Sequence, residues 1–475
     1  MTARRTTTWV VVLTGIGSLM AALDTLVVAA ALSTIHLDLG ASVEQLEWTV
    51  NAYNLAFAVL LMPAAALGDR FGRRRLFAGG LALFALASAA CALAPEVGWL
   101  IAARAVQGAG AALVMPLGLA LLSAAFPPER RGAAIGIFSA ITGLSVASGP
   151  LIGGAVVEGL AWQWVFWLNV PIGLIAAPLV LRKLRESYGS DTALDLPGLA
   201  LVTGGALGVV WGLVRSAQAG WASAEVVATL AIGVLLLAGF VAWEARAPQP
   251  MLPLRLFRSR GFSAGNGVTF LLLAGLFISV FFYAQLLQTA LGDGPLETGL
   301  RLVPWTITFL TVAPIAGTLS DRFGQRPFVV GGMALQASGM LWLALVADPG
   351  MSYGSMIGPL VVAGVGVSMA IPAAQNAVVG GVAMADVGKA AGSASMMREL
   401  GGVFGIAVAV AVFAGAGGSA TPAQFVDGFA PAITVGAGLA LLGAAIGTAL
   451  PSRHPTTTAA VVASGPVPAS EGASR

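Results

Sequence analysis

The chain has 475 residues, of which 57% are hydrophobic and only 9% charged, with a formal net charge of +3 and a mean hydropathy of +0.89. A soluble domain carries about 25% charged residues, so this composition excludes a water-covered surface and requires one that faces lipid. The single cysteine, Cys91, excludes a disulfide framework. His36 and His454 lie outside the apolar runs, which leaves no histidine for a membrane-embedded catalytic or metal cluster.

A membrane span needs about 20 apolar residues. Fourteen can be placed in chain order, at 9–34, 46–67, 76–94, 98–122, 132–157, 162–181, 197–215, 223–243, 262–287, 297–319, 327–347, 353–379, 391–415 and 429–450. The fold expected is therefore all-α, polytopic and membrane-embedded. The first span is too long for a signal peptide and is read as a permanent helix. Residues 451–475, rich in Pro, Ser, Thr and Ala, are expected to form a disordered tail. With the N-terminus in the cytoplasm, 20 of the 24 basic residues fall in the tails and the loops on that same side, including Arg70, Arg73, Arg74 and Arg75 and later Arg322 and Arg326. This satisfies the positive-inside rule with both termini cytoplasmic, and it accounts for the basic clusters without nucleic acid. Two lysines against 22 arginines, with abundant alanine, suggest a GC-rich bacterial genome, and hence a bacterial cell membrane.

Asp24 interrupts the first span, within Leu23-Asp24-Thr25-Leu26. A carboxylate at mid-depth costs roughly 2.5–3.5 kcal/mol, so it faces a bundle interior or a water-filled cavity and has a task, such as binding a proton or a cation. Arg104 lies in the fourth span. At 1.5 Å per residue the two sit about 6 Å apart in depth, within reach of an arginine side chain, directly or through Gln107.

After the second span the chain reads Leu67-Gly68-Asp69-Arg70-Phe71-Gly72-Arg73-Arg74, and after the tenth Leu319-Ser320-Asp321-Arg322-Phe323-Gly324-Gln325-Arg326. The repeat implies duplication. Residues 1–190 and 251–450 are then two six-helix bundles, and 191–250 holds two inserted helices. Transport by rocking of one bundle against the other follows from such an arrangement.

This loop resembles the signature of the major facilitator superfamily. The second copy starts on the family's leading glycine, Gly317, whereas the first has Ala65 there. By the resemblance, Asp69 is expected to latch near the start of span 13 and Asp321 near the start of span 5, each carboxylate meeting exposed N–H groups. Arg70, Arg73 and Arg322 can pair across the interface, while Gly72 and Gly324 complete the motif. Span 5 carries Gly136, Ser145, Gly149-Pro150 and Gly153-Gly154, similar to the antiporter motif of drug exporters with Ser145 in place of one glycine. Gly149 and Gly153 form a stripe for close helix packing, and Pro150 bends the helix. Arg104-Ala105-Val106-Gln107-Gly108-Ala109-Gly110 is similar to the family's buried-arginine motif. The run Trp162–Gly173 looks like the sixth-helix signature of fourteen-helix drug:proton antiporters of the QacA/EmrB type, with Gln163 in place of the usual arginine.

The resemblance implies a cavity lined by spans 1, 4, 9 and 12, with spans 2, 5, 10 and 13 at the rocking interface. Candidates for substrate contact are Asp24, Asn51, Tyr53, Asn54, Gln107, Phe281, Tyr283, Gln285, Gln288, Trp305, Gln375 and Asn376. Asp24 and Arg104 are the candidates for proton coupling. Arg398 and Glu399, read as lying near the cytoplasmic start of span 13, are assigned to a conformational ion network. Large apolar walls with a few amides suit lipophilic, neutral or monocationic compounds. The function implied is proton-coupled drug export driven by the proton-motive force, with no other cofactor, the partners being a small lipophilic molecule, protons and the bilayer, and a monomer the expected unit. An importer or symporter of a small metabolite shares the fold. A membrane-embedded enzyme would need a polar cluster within the spans, which hold only isolated charges, and no Gly-x4-Gly-Lys-Ser/Thr loop supports direct ATP coupling. Reporter fusions to the two ends should both read out as cytoplasmic; an external signal from either would overturn the charge-based orientation.

Overall fold

The computed structural model describes residues 2–189, 195–417 and 421–452, and every regular element among them is helical. The α-helices are α1 (Thr2–Leu39), α2 (Val43–Phe71), α3 (Arg73–Ala92), α4 (Val97–Ala125), α5 (Pro128–Gly159), α6 (Trp164–Trp167), α7 (Asn169–Lys183), α8 (Leu196–Ala219), α9 (Ala224–Glu244), α10 (Arg260–Thr289), α11 (Pro295–Arg301), α12 (Val303–Phe323), α13 (Gln325–Val346), α14 (Tyr353–Gly380), α15 (Val387–Ala416) and α16 (Pro422–Gly447). Span 6 is split into α6 and α7, and span 10 into α11 and α12; every other span is one helix. Thirteen segments are long and apolar enough to cross a membrane. The fourteenth expected span, α5, is a 32-residue helix. All but the first two residues of the expected tail lie outside the described residues.

Helix ends follow local chemistry. Ser42 Oγ accepts from Gln45 N (3.2 Å) while Gln45 Oε1 accepts from Ser42 N (2.9 Å). This reciprocal cap fixes the start of α2, and losing the serine hydroxyl typically costs about 1 kcal/mol. Asp195, Ser223, Ser259 and Thr421 cap α8, α9, α10 and α16 through their side chains. Gly72 and Gly324 end α2 and α12 with φ of +105° and +87°. L side chains avoid that region, which is why the repeated Asp-Arg-Phe is followed by glycine both times.

Helices α1–α5 and α7 share an apolar core containing Phe77, Phe84, Leu117 and Phe138. Helices α10 and α12–α16 share another, containing Phe282, Met333, Met340 and Phe429. The two groups meet where α5 runs along α12 and α2 along α15, with α14 against α5 and α4 against α15. Helix α8 lies against α2 and α15, where Val202, Ala206 and Val210 pack with Ala58, Met62, Ala394 and Leu400. Helix α9 packs on α8, and only 17% of its membrane-crossing stretch is buried.

The crossing of α5 and α12 depends on small residues. A Cβ at Gly136 would lie 2.7 Å from Ala313 O, and one at Gly317 would lie 2.9 Å from Gly136 Cα and overlap Gly132 O. Lipid tails are as apolar as leucine, so this close backbone contact, and not solvent exclusion, holds the pair together. Gly317→Ala should therefore lower the melting temperature of the purified protein, by the equivalent of about 1–3 kcal/mol for an overpacked contact. Gly331→Ala is the control, because a Cβ there meets only the tip of Met369 at 4.0 Å; equal melting of both variants would show that the crossing is loose.

Candidate functional site

Asp24 is buried on α1 and faces α4 and α7. One carboxylate oxygen, Oδ2, accepts from Arg104 Nη1. The other, Oδ1, accepts from Gln107 Nε2 at 2.8 Å and from Asn169 Nδ2 at 2.9 Å. Arg104 and Gln107 are three residues apart, so they share one face of α4, and Gln107 Oε1 accepts from Arg104 Nη1 at 2.7 Å. Ser88 on α3 lies 3.2 Å from each of the two amide nitrogens and donates to Phe166 O at 2.9 Å.

The guanidinium has further partners, although Nη2 has none. Arg104 Nε donates to Thr49 O at 3.0 Å, and its centre sits 4.2 Å over the Tyr53 ring. Tyr53 in turn donates its hydroxyl to Ala21 O at 2.9 Å. Burying an ion costs several kcal/mol even after relaxation, and the attraction of a partner repays this only when the remaining atoms are satisfied. The two amides do so for the carboxylate; a backbone carbonyl and an aromatic face do so for most of the guanidinium. A proton delivered to Asp24 would cancel its charge and leave Arg104 with amide and carbonyl partners alone, so this cluster has two chemically distinct states.

The second constellation is the pair of repeated loops. Asp321 at the end of α12 accepts from Gly132 N and Ala133 N at the start of α5, both at 2.9 Å. Asp69 at the end of α2 accepts from Arg73 Nε at 2.7 Å and lies against Gly388 at the start of α15, where a Cβ would overlap the carboxylate. Each acid lies at the helix start that the resemblance implied, but only Asp321 is bonded to backbone N–H groups there; Asp69 is in contact with α15 and takes its hydrogen bond from Arg73. Arg70 and Arg322 are exposed and stack over their own neighbours, Phe71 and Phe323. The loop after α7 covers the first copy. Glu186 Oε1 accepts from Arg74 N at 2.8 Å, Ser187 O accepts from Arg73 N at 3.0 Å, and Asp69 O accepts from Gly189 N at 2.9 Å.

The remaining candidates scatter. Asn376 donates to Asp321 Oδ1 at 3.2 Å and so sits at the loop contact. Gln375 accepts from Ser139 Oγ of α5 at 3.3 Å. Asn51 lines a notch against α8 with Trp48, Leu55, Trp211, Val214 and Arg215. Asn54 and Gln285 are half-buried, and Phe281 and Gln288 exposed. Tyr283 and Trp305 are fully buried, with ring centroids 6.2 Å apart. Gly149 and Gly153 are buried, while the surroundings of Pro150 and Gly154 lie outside the described residues. Arg398 Nε donates to Glu399 Oε1 at 3.0 Å. This pair is not near the start of its helix, because α15 begins at Val387 and places it about 17 Å further along. Sequence reasoning missed Thr49, Ser88, Asn169 and Glu186 as partners. Asn169 left a trace, being the one polar side chain in the apolar run between Leu168 and Leu181.

Comparison with known proteins agrees with this arrangement. The profile of the Major Facilitator Superfamily matches residues 14–283 and again 266–471. The chain is 36% identical over 458 residues to the tetracenomycin C resistance and export protein of Streptomyces glaucescens, covering 94% of this chain and 84% of that one. It is also 36% identical over 470 residues to the cephamycin export protein CmcT of Amycolatopsis lactamdurans, covering 97% and 96%. Among solved structures, that of the human organic anion transporter MFSD10 superposes with a TM-score of 0.65 at 14% identity over 93% of this chain and 99% of that one. The chain is a multi-pass membrane protein, and it belongs to the major facilitator superfamily.

Proposed function

We propose that this protein exports lipophilic, neutral or monocationic compounds in exchange for protons. The observation that carries this is the sealed Asp24–Arg104 cluster, a carboxylate in the membrane interior whose charge is balanced by one arginine and two amides. Both relatives compared above are named for export, one of them also for resistance. That supports outward flux over the importer alternative.

In this mechanism Asp24 takes a proton from the outer side, which loosens Arg104 and favours release of the compound there. Inward return of the proton gives back the ion pair, and the membrane potential adds about 2.3 kcal/mol per charge per 100 mV. The loop contacts of Asp69 and Asp321 hold one end closed, the end that the arginine distribution assigns to the cytoplasm. Every polar atom of the Asp24 carboxylate is engaged, so its role here is that of proton carrier. Arg398, Glu399, Gly149, Pro150, Gly153 and Gly154 belong to the moving parts in this reading, and Gln285 and Asn54 to the wall.

Asp24→Asn should reduce drug resistance of an exporter-deficient host to background with protein levels unchanged, and intact resistance would remove Asp24 from the mechanism. In inverted vesicles, dye should enter when the lumen is acidified; entry independent of the gradient would refute proton exchange. The loop contact is open to a separate check. In a Cys91→Ser background, a cysteine at Gln375 should react faster with a thiol reagent from the cytoplasmic side when Asp321→Asn is added. Unchanged reactivity would mean that the Asp321 contact does not hold that end shut.

A further inference from the structure

Two polar atoms in the second bundle have no account in packing. Tyr283 on α10 and Trp305 on α12 are 0% and 1% exposed, and neither Tyr283 Oη nor Trp305 Nε1 has a hydrogen-bond partner. Their rings meet edge to face, 80° apart, and Phe309 extends the same aromatic wall, its ring centroid 5.5 Å from that of Trp305. An unpaired buried donor costs about as much as a lost hydrogen bond, and such groups call for a specific explanation. Phenylalanine fills comparable positions nearby at Phe282 and Phe309, so apolar packing alone does not need the hydroxyl or the indole nitrogen.

The neighbouring hydroxyls are turned to partners of their own. Ser279 Oγ donates to Gly275 O at 2.9 Å, Thr306 Oγ1 to Val303 O at 3.1 Å, and Thr308 Oγ1 to Trp305 O at 2.6 Å. Ser368 Oγ pairs with Thr308 Oγ1 at 3.0 Å. Both orphans can donate, and neither has an acceptor at hydrogen-bond geometry. The acids nearest in sequence, Asp293 and Glu297, are committed to Arg301 at 2.8 and 2.6 Å. A cationic ligand would find no counter-charge here.

We propose that Tyr283 and Trp305 form a donor pair for a hydrogen-bond acceptor of the exported molecule, and that this acceptor is a carbonyl oxygen on a flat, neutral aromatic system such as a quinone. The ligand ring takes its place against Tyr283, Trp305 and Phe309, where stacking adds to the two hydrogen bonds. Access requires the start of α12 to part from α10. The helix break at Leu302 lies three residues before Trp305 and supplies the joint. The inference rests on the exporter reading for its biological sense, but binding can be measured without transport.

The test uses the purified full chain and the variants Tyr283→Phe and Trp305→Phe, titrated with a neutral hydroxyanthraquinone and with anthracene, which has the rings but no carbonyl. Each variant should bind the quinone about tenfold more weakly, the worth of one hydrogen bond, while anthracene binding stays as in the parent. Tyr283→Phe should melt no lower than the parent without ligand, since the hydroxyl it removes has no partner. Equal quinone affinity in all three proteins, or no quinone binding by the parent, would overturn the proposal. So would a lower melting temperature of ligand-free Tyr283→Phe, because the hydroxyl would then be bonded within the protein. Ethidium efflux from cells separates the two levels. If the parent exports nothing yet the quinone result holds, the donor pair stands and the exporter reading falls.

Discussion

Two opposite charges, neither of which the membrane interior would accept alone, meet between α1 and α4. Removing one partner of a buried ion pair typically costs 3–5 kcal/mol, because the other is left uncompensated. The packing of the first bundle therefore has to deliver Asp24, Arg104, Gln107 and Asn169 to one place. It also has to supply Thr49 O and the Tyr53 ring behind the guanidinium. The break between α6 and α7 serves this requirement, since it sets Asn169 at the first turn of α7, facing Asp24. A proton is the smallest species that can alter such a balance without moving a helix, which is why the cluster suits coupling better than it suits holding a bulky cargo.

The loops solve a different problem with a weaker interaction. A carboxylate against the first N–H groups of a helix gains about 0.3–1 kcal/mol at the surface and up to about 2 when partly buried. That is enough to bias one arrangement of the halves and little enough to be given up. Gly132, which donates its N–H to Asp321, and Gly388, which lies against Asp69, must both lack a side chain for the carboxylate to come so close. Charge and the absence of a Cβ thus act as a matched pair at each contact. Asn376 adds a third donor to Asp321, whereas Asp69 accepts from the side chain of Arg73.

Much of this was legible in the sequence because membranes impose simple arithmetic. Span length, arginine distribution and the repeated Asp-Arg-Phe-Gly follow from chain chemistry, and the depth estimate brought Asp24 within reach of Arg104. What could not be read depends on helix rotation and on exact helix starts. Asn51 points to α8 and Asn376 to the loop contact because of where each falls on its helix, which composition does not encode. Helix α15 starts four residues before the span expected at 391, fed by a short 3-10 turn at Met384–Asp386, and this carries Arg398 and Glu399 to mid-helix. Thr49 takes part through its carbonyl, an atom every residue possesses. Glu186 stands in a basic loop among Arg182, Lys183 and Arg185, where its sign alone hinted at a partner.

The covering of the first loop has a mechanical result. Glu186 and Ser187 tie the α2–α3 corner to the end of the first bundle through backbone groups of Arg73 and Arg74, and Gly189 N closes the strap on Asp69 O. A corner held along its own backbone cannot flex by itself. In the proposed rocking it would travel with its bundle as one stiff piece, so that yielding at the Asp69 contact would be a displacement of the whole bundle and not the bending of a loop.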